Sequence, residues 1–301
     1  EGEGEGEGEG EGEGEGESGE DEEPRLKYQR LGAGVAELVK TDTARCLAVH
    51  ARFLVLGTGS GVLVVLDFNG NEVQRFTPHS AVVNDICVDA AGEYVGSCSE
   101  DGTVCVRSLY EPHDASTHWY SAPVRAVALA PGFSSGRRIF ASGGLGGQLV
   151  LNSRGWFGLK DEVLHAGEGP VRAIKWHGPL LAWANDAGVK VYDSYAQQRI
   201  SFIDRPANSP PADAFRAQLV WASLSCLVVG WANTIKVGVV RTRAHAAPPA
   251  AGTGVQIPLP AGVSGASQPV RYIEIVALIK MDGYICGLSL IHISEPTRRT
   301  P

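Results

Sequence analysis

The sequence predicts an all-β chain, a WD-type β-propeller of five blades plus a partial sixth. Three observations carry this reading. Strand–turn–strand pairs recur between residues 53 and 240. One turn residue from each (Gly61, Gly102, Gly147, Gly188 and Asn233) falls at successive steps of 41, 45, 41 and 45 residues. A unit of four short strands every 40–45 residues or so is the period of a propeller blade. A further strand-like segment precedes four of the pairs. Glycine is also abundant, with 30 in the 285 residues after position 16, above the average usage of about 7%. Many glycines without a collagen period mean many tight turns.

The elements follow in order. The hairpins are FLVLGTGSGVLVVLD (53–67), YVGSCSEDGTVCVRSL (94–109), IFASGGLGGQLVLN (139–152), LLAWANDAGVKVYD (180–193) and CLVVGWANTIKVGVV (226–240). Each has two short apolar runs around Gly, Asn or Asp, the residues that supply positive φ at a turn. Ahead of the last four stand AVVNDICVD (81–89), APVRAVALA (122–130), GPVRAIKWH (169–177) and FRAQLVWAS (215–223), read as innermost strands. Alternation places Val171, Ala173 and Lys175 on one face and Arg172, Ile174 and Trp176 on the other. Less regular outer strands are read at NEVQRF (71–76) and QQRISFI (197–203). A sixth repeat is read as opening at 270–288.

The repeat is divergent. The Trp-Asp that usually ends the third strand appears only as Leu66-Asp67 and Tyr192-Asp193, and no Gly-His dipeptide occurs. The hydrogen-bonded Asp-His-Ser-Trp tetrad of well-formed WD repeats is therefore not expected. The blades are expected to hold by apolar sheet packing alone.

Composition sets the boundaries. Residues 1–24 form an acidic Glu/Gly leader in which positions 1–23 carry 13 acids and no base, so disorder is expected. The propeller is assigned to 25–288, interrupted by an Ala/Pro/Gly-rich loop insertion at 244–269. Beyond the first 23 residues, 26 bases face 21 acids. That balance is too mild, and the bases too scattered, for a nucleic-acid reader. No apolar run reaches the roughly 18 residues of a membrane span, and the acidic start has no secretory character. Six cysteines without a C-x-x-C pair read as buried, reduced thiols of a cytosolic protein.

Motifs suggestive of chemistry fail on their context. Gly57–Gly61 lacks the Lys-Ser/Thr ending of a phosphate loop and is followed by a strand, so it reads as a hairpin turn, as does Gly143–Gly147. Ser99-Glu100-Asp101-Gly102 resembles the sialidase Asp-box, with its glycine one residue early and no Trp after it. The eight histidines show no ligand spacing. His113, Asp114 and His118 share one polar segment and read as a solvated loop. The six tryptophans are read mostly as blade core; Trp119 and Trp156 are placed in loops, with exposed partner anchors as the alternative reading. No catalytic, cofactor-binding or metal residue is assigned, and the protein is read as non-enzymatic, without a cofactor.

Several blocks occur in one order: RLKYQRL (25–31), CSEDGTV (98–104), LHAGEGPVRAIKW (164–176), LLAWANDAGVKVYD with QQRI (180–200), GWANTIKV (230–237) and RYIEIV (271–276). Together they resemble the N-terminal propeller of the vacuolar protein sorting-associated protein 41 family over roughly residues 24–287. The A-W-A-N-x-x-G-V-K-x-x-D block is the most specific part. The insertion at 244–269 departs from the family. Residues 289–301 are non-native-looking and resemble a translated sequencing-adapter peptide, the expectation for a truncated gene model.

The resemblance implies a tethering subunit of the HOPS complex in vesicle-mediated protein transport. Its implied partners are the other HOPS subunits, a late-endosomal Rab GTPase, SNAREs and the adaptor-complex-three machinery. Its implied location is cytoplasmic and peripheral on late endosome, lysosome or vacuole membrane. A solenoid and a zinc RING would follow in the whole protein. The alternative is a generic WD-repeat scaffold in signalling or ubiquitin ligation, which needs well-formed repeats. A propeller hydrolase or lyase would need a convergent acid–base set in the channel.

Overall fold

A computed structural model of the chain describes residues 30–136, 138–155, 158–243 and 270–289. The acidic leader, the 244–269 insertion, Trp156 and residues 290–301 lie outside the described residues.

Five four-stranded antiparallel meanders make up the described fold. Blade one holds β1 (Ala44–Val49), β2 (Leu54–Thr58), β3 (Leu63–Leu66) and β4 (Glu72–Phe76). Blade two holds β5 (Val83–Val88), β6 (Tyr94–Ser99), β7 (Thr103–Ser108) and β8 (Ala115–Trp119). Blade three holds β9 (Val124–Leu129), β10 (Phe140–Gly144), β11 (Gln148–Gly155) and β12 (Gly158–Ala166). Blade four holds β13 (Ala173–His177), β14 (Leu180–Ala184), β15 (Gly188–Asp193) and β16 (Gln198–Asp204). Blade five holds β17 (Gln218–Ser223), β18 (Cys226–Trp231), β19 (Thr234–Arg243) and β20 (Val270–Lys280).

The five hairpins thus appear where the repeat spacing put them. Segment 270–280, expected to open a sixth blade, is instead the outer strand of blade five. It pairs with β19 from Thr234↔Lys280 to Arg243↔Val270. Sequence spacing counted it as a new repeat because the 244–269 insertion separates it from its partner strand.

The core lies between neighbouring blades: blades two to four are covered on both faces by their neighbours, and blade one by blade two and helix α1. In β14, Leu180, Ala182 and Ala184 pack toward blade five, while Leu181 and Trp183 pack toward blade three. Double coverage explains why strands β2, β6 and β14 are buried at every position, with no polar face to alternate. In β13, Ala173 packs on the blade-five side and Ile174 and Trp176 on the blade-three side, as alternation predicts. Val171 lies two residues ahead of the strand and joins the blade-three side instead.

Strands β1, β8 and β12 escaped the sequence reading, and so did one helix. Helix α1 (Ala33–Thr41) precedes blade one. Its packed apolar positions, Val35 and Leu38, lie three residues apart and so share a face, which packs on Leu54, Leu56, Val64 and Leu66. Its start is fixed by backbone: Gly32 N–H donates to Asn69 O at 2.6 Å. A Cβ at Gly32 would stand 2.8 Å from that same oxygen. Two packed apolar residues in nine, with Val39 left exposed, give a helical signal too short to stand out among strands.

Candidate interaction surface and the polar groups that shape it

Three hairpin turns use glycine in the left-handed region: Gly61 at φ 92°, Gly102 at 79° and Gly147 at 69°. Blade four solves its turn with a side chain. Asn185 Oδ1 accepts from Ala187 N at 3.1 Å and Gly188 N at 3.2 Å. Blade five places Ala232, ahead of Asn233, at φ 54°.

Blade two corrects the expectation of purely apolar packing. His79, wholly buried in its side chain, is held by two hydroxyls, with Nε2···Ser97 Oγ at 2.7 Å and Nδ1···Thr103 Oγ1 at 2.6 Å. Asp101 accepts from Thr103 Oγ1 at 2.6 Å and from Ser80 N at 2.7 Å. Three of the four tetrad residue types are therefore assembled. The preceding residue is Pro78 instead of Gly, which hid the histidine from a search for Gly-His. Burial lowers the His79 pKa below 6.5, with Asp101 opposing. Blade three builds a related network: the Tyr120 hydroxyl meets Ser142 Oγ at 2.7 Å and Asn152 Oδ1 at 2.8 Å, and Asn152 Nδ2 donates to Asp161 at 2.6 Å.

Two of the blocks that carry the family resemblance, LHAGEGPVRAIKW and LLAWANDAGVKVYD, meet in blade four. Lys190 is 2% exposed and pairs with Glu168. Its ammonium also lies 4.6 Å from the Phe202 ring centroid. Arg172 Nε donates to Asp186 Oδ1 at 2.8 Å. Asp193 Oδ1 accepts from Tyr195 N and Ala196 N, each at 3.0 Å, and Oδ2 accepts from Arg271 Nη1 at 2.9 Å. The last contact joins the A-W-A-N block to the RYIEIV block across two blades. Among these pairs, Arg271–Asp193 is the one that ties blade five to blade four.

The remaining surface is of three kinds. A groove of about 330 Å³ between blades two and three is lined by Tyr94, Asp114, His118, Phe133, Arg138 and Phe140. There Tyr94 donates to Asp114 at 2.6 Å, Arg138 Nη1 donates to Asp114 at 2.9 Å, and Arg138 stacks over the Tyr94 ring. The polar segment read as a loop is thereby divided. His113 is exposed, while His118 lies buried on β8 with its ring 4.8 Å from Phe140. Among the described residues no group of three potential metal ligands occurs. Trp119 is 78% exposed, as an anchor would be, but stands on β8 and not in a loop. Trp183 and Trp231 are buried. Of the cysteines, Cys98 and Cys105 are buried, Cys46, Cys87 and Cys226 half-buried and Cys286 exposed. Burial pushes the Cys46 and Cys87 thiols up to about 12.

The third feature is an axial cavity of about 270 Å³, lined by Arg45, Asn84, Arg125, Arg172, Asp213 and Arg216 among others. Their positions follow from the repeat. Each Arg, and Asn84 in blade two, is followed one or two residues on by the inner strand of its blade or lies at that strand's start. The sequence reading took the bases as scattered; the fold gathers four of them. The recurring V-R-A of blades three and four and F-R-A of blade five were the available signal.

This architecture, blade-embedded polar networks and exposed turn and edge surfaces without an assembled catalytic set among the described residues, defines a WD-like β-propeller domain. The Vps41 propeller family, described as "Vps42 beta-propeller", matches residues 26–294. The chain belongs to the vacuolar protein sorting-associated protein 41 family. It is 42% identical over 270 residues to the homologue from Arabidopsis thaliana, covering 89% of this chain and 26% of that protein. It is 49% identical over 221 residues to the Solanum lycopersicum homologue, covering 73% and 23%. The Homo sapiens homologue is 38% identical over 269 residues, covering 89% and 29%. The chain thus spans about a quarter of the length of these relatives. Among solved structures, the propeller domain of Myceliophteria thermophila Cps50 (Swd1) superposes with a TM-score of 0.59 at 15% identity, over 79% of this chain and 72% of that one. A chain of the mitotic checkpoint complex gives 0.54 at 18% identity, over 66% and 62%. These two likenesses speak to the fold alone.

Proposed function

We propose that the parent protein is a non-enzymatic HOPS tethering subunit. It acts in delivery and fusion of endosomes and vesicles with the lysosome or vacuole, and this chain is its N-terminal recognition propeller. Membership of a family whose relatives are named for vacuolar protein sorting carries the reading. The proposed partners are the other HOPS subunits, a late-endosomal Rab GTPase, SNAREs and the adaptor-complex-three machinery. No helix among the described residues is long and apolar enough to cross a membrane. Recruitment by protein partners is accordingly the proposed route to the membrane, with a cytoplasmic, peripheral location. Rigid strands carrying variable loops suit such recognition.

The test uses the full-length protein. It should co-purify with the other HOPS subunits and capture late-endosomal Rab loaded with GTP in preference to GDP. Failure to co-purify removes the functional assignment; nucleotide-independent capture removes only the Rab route. Metal analysis of this chain should find no stoichiometric zinc.

A further inference from the structure

One position of the repeat delivers an arginine to the propeller axis in four blades out of five. Arg45 lies on β1, Arg125 on β9, and Arg172 and Arg216 just ahead of β13 and β17; Asn84 of β5 takes the same place in blade two. All five line the one cavity of about 270 Å³, with Asp213 as the carboxylate in that lining.

The four guanidiniums divide into two pairs. Arg125 is tethered by Glu100 at 2.6 Å and Arg172 by Asp186 at 2.8 Å, so their positions are fixed from the turns around the cavity. Arg45 and Arg216 are exposed and have no hydrogen bond or carboxylate partner among the described residues. Arg125 carries a second sign of an unmet need. Its Nε is shut off from solvent and has no acceptor among the described residues. A structural role accounts for the tethered pair. It does not account for two unpaired guanidiniums directed to the same space, where like charges repel.

We infer that this axial cavity binds a compact, multiply phosphorylated ligand, with Arg45 and Arg216 as its principal contacts and Arg125 and Arg172 as the fixed wall. Planar guanidinium forks match phosphate oxygens two at a time. The volume lies just under the usual range of about 300–1,000 Å³ for drug-sized ligands, which favours a small polyol phosphate or a lipid headgroup over an extended acidic peptide. The backbone at or beside the inner strands holds all four arginines and ion pairs already order Arg125 and Arg172, so the ordering on binding is confined to Arg45 and Arg216. The inference concerns this propeller alone and is independent of the tethering role.

The experiment is calorimetric titration of the 301-residue chain with inositol hexakisphosphate and with pyrophosphate, alongside sedimentation with vesicles containing a phosphoinositide. Saturable binding that weakens with salt is expected. Arg45→Ala with Arg216→Ala should weaken it about tenfold or more, while leaving the melting midpoint unchanged, because neither side chain supports the fold. Arg45→Lys with Arg216→Lys keeps the charge, loses the fork and should fall between. Lys160→Ala with Arg199→Ala, the same charge change on outer strands β12 and β16, should leave affinity within about twofold. Binding of soluble phosphates alone assigns a free metabolite, and binding of vesicles as well assigns a headgroup; each supports the site. Three results overturn it: no saturable binding of either soluble probe or of vesicles, an equal loss in the outer-strand control, or tighter binding of a hexaglutamate peptide than of inositol hexakisphosphate.

Discussion

At the scale of single residues, burial of polar groups sets this chain's sensitivities. His79, His118 and His165 all have pKa values lowered from 6.5, in each case chiefly by burial. An unfolded chain therefore binds protons on these rings before the folded one does. Their stabilising contribution is full above pH 6.5 and falls as pH drops from there to the lowered folded values. Urea midpoints should decline over that interval, and His79→Gln should flatten the decline. At neutral pH, His79→Ala removes the ring bonded by both the Ser97 and Thr103 hydroxyls, leaving Thr103 its bond to Asp101 and Ser97 only a long one to Cys105 O, and should cost about 1–3 kcal/mol by urea unfolding. Glu168 acts in the same direction but in a lower pH window. Its carboxyl is held below 4.5, first by the hydrogen bond from Lys190, so its contribution is present above 4.5 and lost as pH falls through the folded value. Removing one member of a buried pair strands the other charge. Because Glu168 is 38% exposed, Glu168→Gln should cost nearer 2 kcal/mol than the full buried-pair figure, while Lys190→Met should cost less.

At the scale of elements, turns and the single helix are where sequence chemistry is most local. Gly61 sits at φ 92°, and a Cβ there would strike the carbonyl oxygen of His79. Gly167 has a similar φ of 86° but open space around it. Gly167→Ala should therefore cost about 1–2 kcal/mol of conformational strain alone, and Gly61→Ala clearly more, a contrast that thermal denaturation will read. Leu38→Ala should release α1 from blade one at a cost of about 2–4 kcal/mol, seen as faster amide exchange across Ala33–Thr41 with little change in blade four.

At the scale of the whole molecule, packing runs from blade one to blade five through inner strands β1, β5, β9, β13 and β17. The outer strand β20 differs from β16. Where β16 opens with Gln198 and Arg199, β20 exposes Ile275, Val276, Leu278 and Ile279. On β1, Leu47 and Val49 are exposed as well. Exposed apolar strands template pairing with another chain. The isolated chain should therefore self-associate in sizing chromatography coupled to light scattering, and Ile275→Lys with Leu278→Lys should shift it toward monomer. A clean monomer of the unaltered chain would refute this reading.

The sequence by itself determined the blade hairpins, the four inner strands of blades two to five and the family. Turn chemistry and apolar runs are local, and they repeat often enough to be counted. It could not place β20, because pairing across a long insertion is a long-range choice between equally strand-like partners. It missed the His79 network, because three of its members reach one another only after β5, β6 and β7 are stacked. Above all it read Arg45, Arg125, Arg172 and Arg216 as scattered charge. Residues 40 or more positions apart become neighbours only when inner strands converge on one axis, so the axial arginine cavity belongs to the tertiary structure alone.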